Sequence, residues 1–211
     1  MKAHLLQKPR IDSNWAEHKA PRSLHIVDWD AKVYKDAKLA PRGHGGCCVY
    51  ANHVPVMLNN ELPYTVEIIC PSSIDMISTG LRKNAWRKNG VGQCEAILFS
   101  LGDNDGDAVL FVETKYCQEK KEDSSLGGYK EDAKQQIKDT IRELQSRGCP
   151  LSKRKIYGLI SFPLYSLRLT TSVGSPVLGP VEIRTARLED RINLYVGNRV
   201  TYKDSRTIRP A

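Results

Sequence analysis

The chain has 211 residues, 40% of them hydrophobic, which is enough to bury the core of one large α/β domain or two small ones. Its formal net charge of +8 at pH 7 favours a polyanionic partner. No apolar run is long enough to span a membrane, and we find no signal-peptide pattern. The six cysteines show neither CxxC nor zinc-ribbon spacing, so we expect reduced thiols and a cytoplasmic location.

The N-terminal third predicts an irregular segment followed by short strands. Residues 1–46 are polar and contain three prolines, so we expect an arm or cap with one short strand at residues 24–29. Residues 47–58 and 64–70 are rich in β-branched and aromatic side chains, which predicts further strands.

Residues 74–89 predict a helix, since Ser73 can cap its start and Gly90 its end. Four apolar residues at helical spacing would form its buried face: Ile74, Ile77, Leu81 and Ala85. Four bases crowd its C-terminal end, namely Arg82, Lys83, Arg87 and Lys88. They suit either the helix dipole or a phosphate contact, and both interpretations stay open.

Residues 93–117 predict a β-hairpin around which the rest of the chain is arranged. Two apolar runs, 96–101 and 108–112, flank a turn at 102–107 made of Gly, Asp and Asn. These residue types tolerate positive φ and bond to their own backbone, as tight turns require.

The hairpin carries charge at the end away from its turn. With Asn104 at the middle of the turn, Glu95 faces Glu113 on the neighbouring strand. Lys115 lies two residues beyond Glu113 and therefore shares its face. Two carboxylates and a lysine are costly to bring together at the end of a buried strand, which indicates a function.

A second helix is predicted at residues 129–146, with an apolar stripe and a separate basic stripe. The basic stripe repeats every four residues: Lys130, Lys134, Lys138 and Arg142. It is either a solvated face or a phosphate-contacting one. Residues 155–162 predict the next strand, parallel to strand 109–116 because a helix crosses over between them.

The C-terminal part predicts two more strands, at residues 181–186 and 192–202, the latter folded as a hairpin on Gly197-Asn198. We expect residues 47–202 to form a single domain and residues 203–211 a loose basic tail.

The hairpin ending in Glu113-Thr114-Lys115, between two predicted helices and before a strand, resembles the PD-(D/E)XK nuclease superfamily. The resemblance covers residues 73–163. It implies the restriction-endonuclease-like fold, an α/β protein with an αβββαβ core, a mixed central sheet and helices on both faces. The chain adds strands at both termini, and Cys94-Glu95 stands where the family has Pro-Asp.

The resemblance also implies a site. Glu95 and Glu113, with the main-chain carbonyl of Thr114, would hold Mg²⁺ or Mn²⁺, and Lys115 would orient or deprotonate the attacking water. A glutamine on the following helix supports the lysine in some relatives, and here Gln135 or Gln136 would do so. Three acids in the turn remain alternatives to Glu95, namely Asp103, Asp105 and Asp107.

The functional expectation is a magnesium-dependent nuclease that hydrolyses phosphodiester bonds, with DNA favoured over RNA as partner. The bases of the two helices, including Arg87 and Lys88, would contact the phosphate backbone. The alternative is a catalytically inactive nucleic-acid-binding or assembly subunit of a larger complex. A homodimer also fits the sequence, as does a structural subunit that meets an acidic protein.

Overall fold

The computed structural model describes residues 13–31, 34, 46–54, 64–71, 73–81, 92–102, 104–116, 123–164, 181–182 and 191–211. In these ranges the strands are β1 (Ser13–His18), β2 (Ser23–Asp28), β3 (Cys47–Ala51), β4 (Val66–Ile69), β5 (Met76–Leu81), β6 (Ala96–Ser100), β7 (Ala108–Thr114), β8 (Lys155–Ser161), β9 (Val181–Glu182), β10 (Asn193–Val196), β11 (Arg199–Asp204) and β12 (Thr207–Pro210). The helices are α1 (Asp123–Ser146) and a 3-10 turn (Leu151–Lys153).

The strands form two mixed sheets. The first sheet has the order β1-β5-β6-β7-β8-β10-β9, in which β5, β6 and β7 run antiparallel and β8 lies parallel to β7. The second sheet has the order β12-β11-β4-β2-β3. The expectation of an α/β protein with a mixed sheet is therefore confirmed.

Both faces of the first sheet are covered, and the hairpin lies at its centre. Phe99 and Phe111 pack toward Ile137 of α1, while Leu98 and Leu110 on the alternate face pack against the second sheet. Because the two faces are both buried, β6 and β7 read as unbroken apolar runs. We expected helices on both faces, but in the described residues the second sheet takes the place of one helix layer.

The predicted hairpin and its register are confirmed. Ala96 pairs with Val112 and Phe99 with Val109, and Glu95, just before β6, donates its main-chain N–H to the oxygen of Val112. The pairing of Glu95 with Glu113 stays a prediction. The parallel pairing of β8 with β7 is also confirmed. The helix between them begins at Asp123, six residues earlier than predicted. The prediction began the helix after the glycines near its start, but a packed helix tolerates glycines, each of which costs about 1 kcal/mol relative to alanine.

The predicted helix at residues 74–89 is wrong where the structure describes it, since Met76–Leu81 is strand β5. Ile77 and Leu81 are four residues apart, a spacing that puts two side chains on one face of a strand as well as of a helix. Every residue of β5 is buried, so the alternation that marks a strand is hidden. Residues 82–90, including Arg87 and Lys88, lie outside the described residues.

The two ends of the chain also differ from expectation. Residues 13–28, expected in an arm or cap, contribute β1 to the edge of the first sheet and β2 to the interior of the second. The predicted hairpin at residues 192–202 is wrong, because β10 pairs with β8 and β11 pairs with β4 in the other sheet. The tail predicted as loose forms β12, paired with β11.

The two sheets are in close contact at Gly80. A methyl group at this position would lie 1.8 Å from the main-chain oxygen of Cys47 on β3. Backbone cannot move aside as a flexible side chain can, so we expect Gly80→Ala to lower the free energy of unfolding by about 3 kcal/mol. Denaturant unfolding measures this change.

Gly128→Ala is the matched control, since a methyl group there meets nothing within 4 Å and alanine favours a helix. We expect it to be neutral or slightly stabilising. Equal stability of the Gly80→Ala variant and the wild type would contradict the described contact between the sheets.

Candidate active site

The candidate site lies where β6 begins and β7 ends. Glu95 immediately precedes β6, and its main-chain N–H donates to the oxygen of Val112 at 2.9 Å. Its own carbonyl accepts from the N–H of Leu81 at 2.8 Å. The backbone of Glu95 is therefore fixed from both neighbouring strands, beside Val112, the residue before Glu113.

Glu113 is fully buried near the end of β7. One carboxylate oxygen, Oε1, accepts a hydrogen bond from Nζ of Lys115 at 2.7 Å. The other oxygen, Oε2, is buried and has no hydrogen-bond partner among the described residues. A buried carboxylate oxygen is costly to leave unpaired, so this atom is suited to receive a cation or a proton.

Lys115 is held by two elements. Its main-chain N–H donates to the oxygen of Ser161 on β8 at 2.8 Å. Its Nζ donates to Oε1 of Gln136 on α1 as well as to Glu113. The ammonium therefore has a fixed direction, which a free surface lysine lacks.

Gln136, and not Gln135, supports the lysine. Nε2 of Gln136 also donates to the oxygen of Gln93 at 3.4 Å, linking Lys115 to the chain just before Glu95. Gln135 is exposed, and its Nε2 donates to Oδ1 of Asp139 at 2.7 Å. Of the two candidates, only Gln136 faces Lys115 among the described contacts, because residue 135 lies on the solvent side of the helix.

Asp28 is a residue of this region that sequence reasoning missed. Leu24 and Ile26 of β2 pack toward the first sheet. Alternate residues of a strand share a face, so Asp28, two residues after Ile26, lies on the same face at the end of β2. Its N–H donates to the hydroxyl oxygen of Tyr116 at 3.4 Å, so it lies beside the end of β7. The sequence held one signal for this position. Asp28 follows Leu24 and Ile26 at intervals of two residues, so it shares their face of a short apolar strand.

The three acids influence one another. Burial raises the pKa of Glu113 to about 7, although Lys115 opposes the shift, and the charge of Asp28 adds to it. Burial also raises the pKa of Glu95 well above its ordinary range, and the charges of Asp28 and Glu113 raise it further. Both shifts favour the protonated carboxyl groups, and the charge of Lys115 opposes them in part.

The acids of the turn do not belong to this site. Asp105 is exposed and pairs with Lys153 at 3.3 Å. Asp107 is buried, where burial raises its pKa, but hydrogen bonds from Ser205, Asn104 and Ser100 outweigh that effect and leave the pKa lowered. Both lie at the opposite end of the hairpin from Glu113, so neither replaces Glu95. Asp103 lies outside the described residues.

Thr114 was expected to offer its carbonyl. Its side chain lies on the face of β7 opposite to Glu113, and its hydroxyl is buried without a hydrogen-bond partner in the described part of the chain. The side chain therefore does not join the two carboxylates, and the role of its carbonyl stays a prediction.

The basic stripe of α1 is partly neutralised. Lys134 pairs with Glu131 at 3.2 Å and Arg142 with Asp139 at 3.0 Å, each three residues away. Lys130 and Lys138 lie half-buried on the same helix. The stripe therefore offers less net positive charge than its sequence spacing indicates.

The acidic side chains of this region meet part of what a divalent cation requires. Across the ranges that the structure describes, no three His, Cys, Asp or Glu side chains stand close enough to hold a metal ion. Mg²⁺, however, is usually bound through one or two carboxylates and keeps several waters. Glu113, whose Oε2 has no hydrogen-bond partner among the described residues, offers one such carboxylate.

Comparison with protein-family models, curated proteins and solved structures finds no match to this chain. Among the helices of the described residues, none combines the length and the apolar character that crossing a membrane requires. The site must therefore be interpreted from its own residues.

The pKa of Glu113 predicts a pH-dependent stability in a buffer with a chelator. Because folding raises this pKa from 4.5 to about 7, the folded chain keeps a proton that the unfolded chain releases. The associated stability is present below pH 4.5 and is lost as the pH rises through about 7. Between these values, we expect the free energy of unfolding of the wild type to fall relative to Glu113→Gln by on the order of 2 kcal/mol.

Denaturant unfolding at a series of pH values measures this difference. Glu131→Gln is the control, because that side chain is 73% exposed and its profile should run parallel to the wild type. A constant offset between the wild type and Glu113→Gln across the whole range would rule out the raised pKa.

Proposed function

We propose that this chain is a metal-dependent nuclease that hydrolyses phosphodiester bonds, with DNA favoured over RNA. The observation that carries the proposal is the end of β7. There, a lysine fixed by Gln136 bonds one oxygen of the buried Glu113, while the other oxygen has no partner among the described residues. Glu95 immediately precedes β6, and its main-chain N–H donates to the oxygen of Val112, the residue before Glu113.

The order of the elements supports the same proposal. Three antiparallel strands, β5, β6 and β7, are followed by α1 and by β8 parallel to β7. This is the order that the restriction-endonuclease-like core has after its first helix. The chain differs from that core in the second sheet, which covers the face where another helix layer was expected.

The chemistry of the site suits attack by water on a phosphate. Glu95 and Glu113 would hold Mg²⁺ or Mn²⁺, which when bound supplies an activated water and neutralises phosphate charge. Nζ of Lys115 lies within hydrogen-bond distance of Glu113 and would orient that water or stabilise developing negative charge. Gln136 fixes its direction, so little reorganisation is needed.

A specific observation favours a second candidate, the catalytically inactive nucleic-acid-binding or assembly subunit. Within the described residues, no three potential ligands converge on a metal ion. A chain that kept the fold and the bases of α1 but not the catalytic metal would fit this observation. Binding without cleavage distinguishes this candidate from the nuclease.

Cleavage of duplex and single-stranded DNA in Mg²⁺ or Mn²⁺ tests the proposal. We expect cleavage by the wild type and a rate at least about 100-fold lower in Glu113→Ala and Lys115→Ala, since each removes a group that acts on the reacting atoms. Lys153→Ala is the matched control, because this exposed lysine lies at the other end of the hairpin. Equal rates in the three variants would overturn the site assignment.

DNA binding should depend on salt and on α1. We expect Lys130→Ala and Lys138→Ala each to weaken binding without regard to DNA sequence. Each should also reduce the slope of log K against log salt by about 0.9, the value for one lost phosphate contact. Fluorescence anisotropy with a labelled duplex in Ca²⁺ measures both, with Lys153→Ala as control. Unchanged slopes would show that α1 does not contact the phosphate backbone.

A further inference from the structure

We infer that Thr140 of α1 is a positioning residue of the candidate site. Together with Gln136, it holds both polar ends of one peptide group just before Glu95, and so fixes the backbone from which that carboxylate projects. The inference rests on the proposed function, since this position matters for chemistry if Glu95 and Lys115 act in one site. It gives α1 a second role there, besides directing the ammonium of Lys115.

The hydroxyl of Thr140 makes two hydrogen bonds. Its Oγ1 donates to the main-chain oxygen of Gln136 at 2.8 Å, one turn earlier in the same helix. The same oxygen accepts the main-chain N–H of Cys94, also at 2.8 Å. The first bond is common for a threonine within a helix, whereas the second joins the helix to the segment before β6. Because its proton is donated within the helix, the hydroxyl presents a lone pair to Cys94.

Both bonds of one peptide group go to α1. The peptide between Gln93 and Cys94 accepts a hydrogen bond at its oxygen from Nε2 of Gln136 at 3.4 Å. Its N–H donates to Thr140, and this bond is the shorter of the two. Gln136 and Thr140 are four residues apart, so they lie on one face of the helix. The N–H and C=O of a trans peptide point in opposite directions, which suits partners on consecutive turns.

The segment before β6 lies directly against α1. A methyl group at Gly92 would lie 2.9 Å from Cγ of Gln136 and 3.4 Å from Oδ2 of Asp139. Thr140 and Cys94 are both fully buried. Water therefore has no access to replace the hydroxyl as the partner of the Cys94 N–H, and a buried N–H is costly to leave unpaired.

The same face of the helix holds the lysine. Oε1 of Gln136 accepts a hydrogen bond from Nζ of Lys115, while its Nε2 donates to the oxygen of Gln93. One residue beyond the held peptide, the N–H of Glu95 donates to β7. The helix therefore determines how the backbone of Glu95 stands relative to Lys115. Thr140 contributes the shorter of the two bonds that make this connection.

DNA cleavage by Thr140→Val and Thr140→Ser tests the inference. Valine has the shape of threonine but neither donates nor accepts, so it removes the hold on the peptide N–H. We expect kcat to fall about 10-fold or more, because small misplacements of reacting groups are costly, while KM for DNA changes less than about 3-fold. Serine keeps the hydroxyl, and we expect Thr140→Ser to restore kcat to within about 3-fold of the wild type.

The serine variant separates position from packing. It removes a buried methyl group, so a role in packing alone would make Thr140→Ser the worse variant. An equal fall of kcat in both variants overturns the inference, as does a wild-type kcat in Thr140→Val, even though the wild type is a nuclease. Ser146→Ala is the matched control, since its exposed hydroxyl donates to the oxygen of Glu143 at 2.8 Å within α1, and its kcat should be unchanged.

Amide hydrogen exchange tests the inference without any cleavage. In Thr140→Val, we expect the exchange rate of the Glu95 amide to rise at least about 10-fold more than that of Leu98 in the middle of β6, since local opening adds to any loss of global stability. Equal rises overturn the inference, because they would reflect global stability alone. If the wild type cleaves no DNA, the proposed function fails and this comparison decides the inference.

Exchange in the wild type covers the case in which Thr140→Val fails to fold. The Cys94 amide lies before β6, and it should exchange as slowly as the Glu95 amide, which bonds to β7. A Cys94 amide that exchanges at least about 100-fold faster than that of Glu95 overturns the inference, because the hydroxyl would then not hold the peptide.

Discussion

The register between β6 and β7 is the constraint on which the site depends. A shift of one residue would turn Glu113 and Lys115 to the other face of the sheet, away from α1. Asp107 holds this register from the turn, where its carboxylate accepts hydrogen bonds from Ser100 at 2.9 Å and Ser205 at 2.7 Å. An acid of the turn thus acts at a distance, by fixing the strands that carry the functional groups.

Burial on both faces gives the strand end its chemistry. Because α1 covers one side of the first sheet and the second sheet covers the other, Glu113 is removed from water and its pKa rises. Each covering layer also brings a polar residue to this end, Gln136 from α1 and Asp28 from β2. The site therefore depends on the packing of three layers, although the sequence motif lies on one hairpin.

Sequence reasoning succeeded where local rules decide the structure. The turn residues predicted the hairpin in which Ala96 pairs with Val112, and the alternation of side chains along a strand put Lys115 beside Glu113. It failed where tertiary burial decides, since Met76–Leu81 is buried on both faces and shows no alternation that marks a strand. The position of Asp28 beside the end of β7 could not be predicted, because it depends on how the second sheet lies on the first.

The central claim is that Glu95 and Glu113 hold a divalent cation, and a crystal structure of the wild type grown with Mn²⁺ tests it most directly. Data collected at the manganese absorption edge should show an anomalous peak about 2 Å from Oε2 of Glu113 and from an oxygen of Glu95. A peak only at Asp105 or Asp107, or no peak at saturating Mn²⁺, would contradict the account.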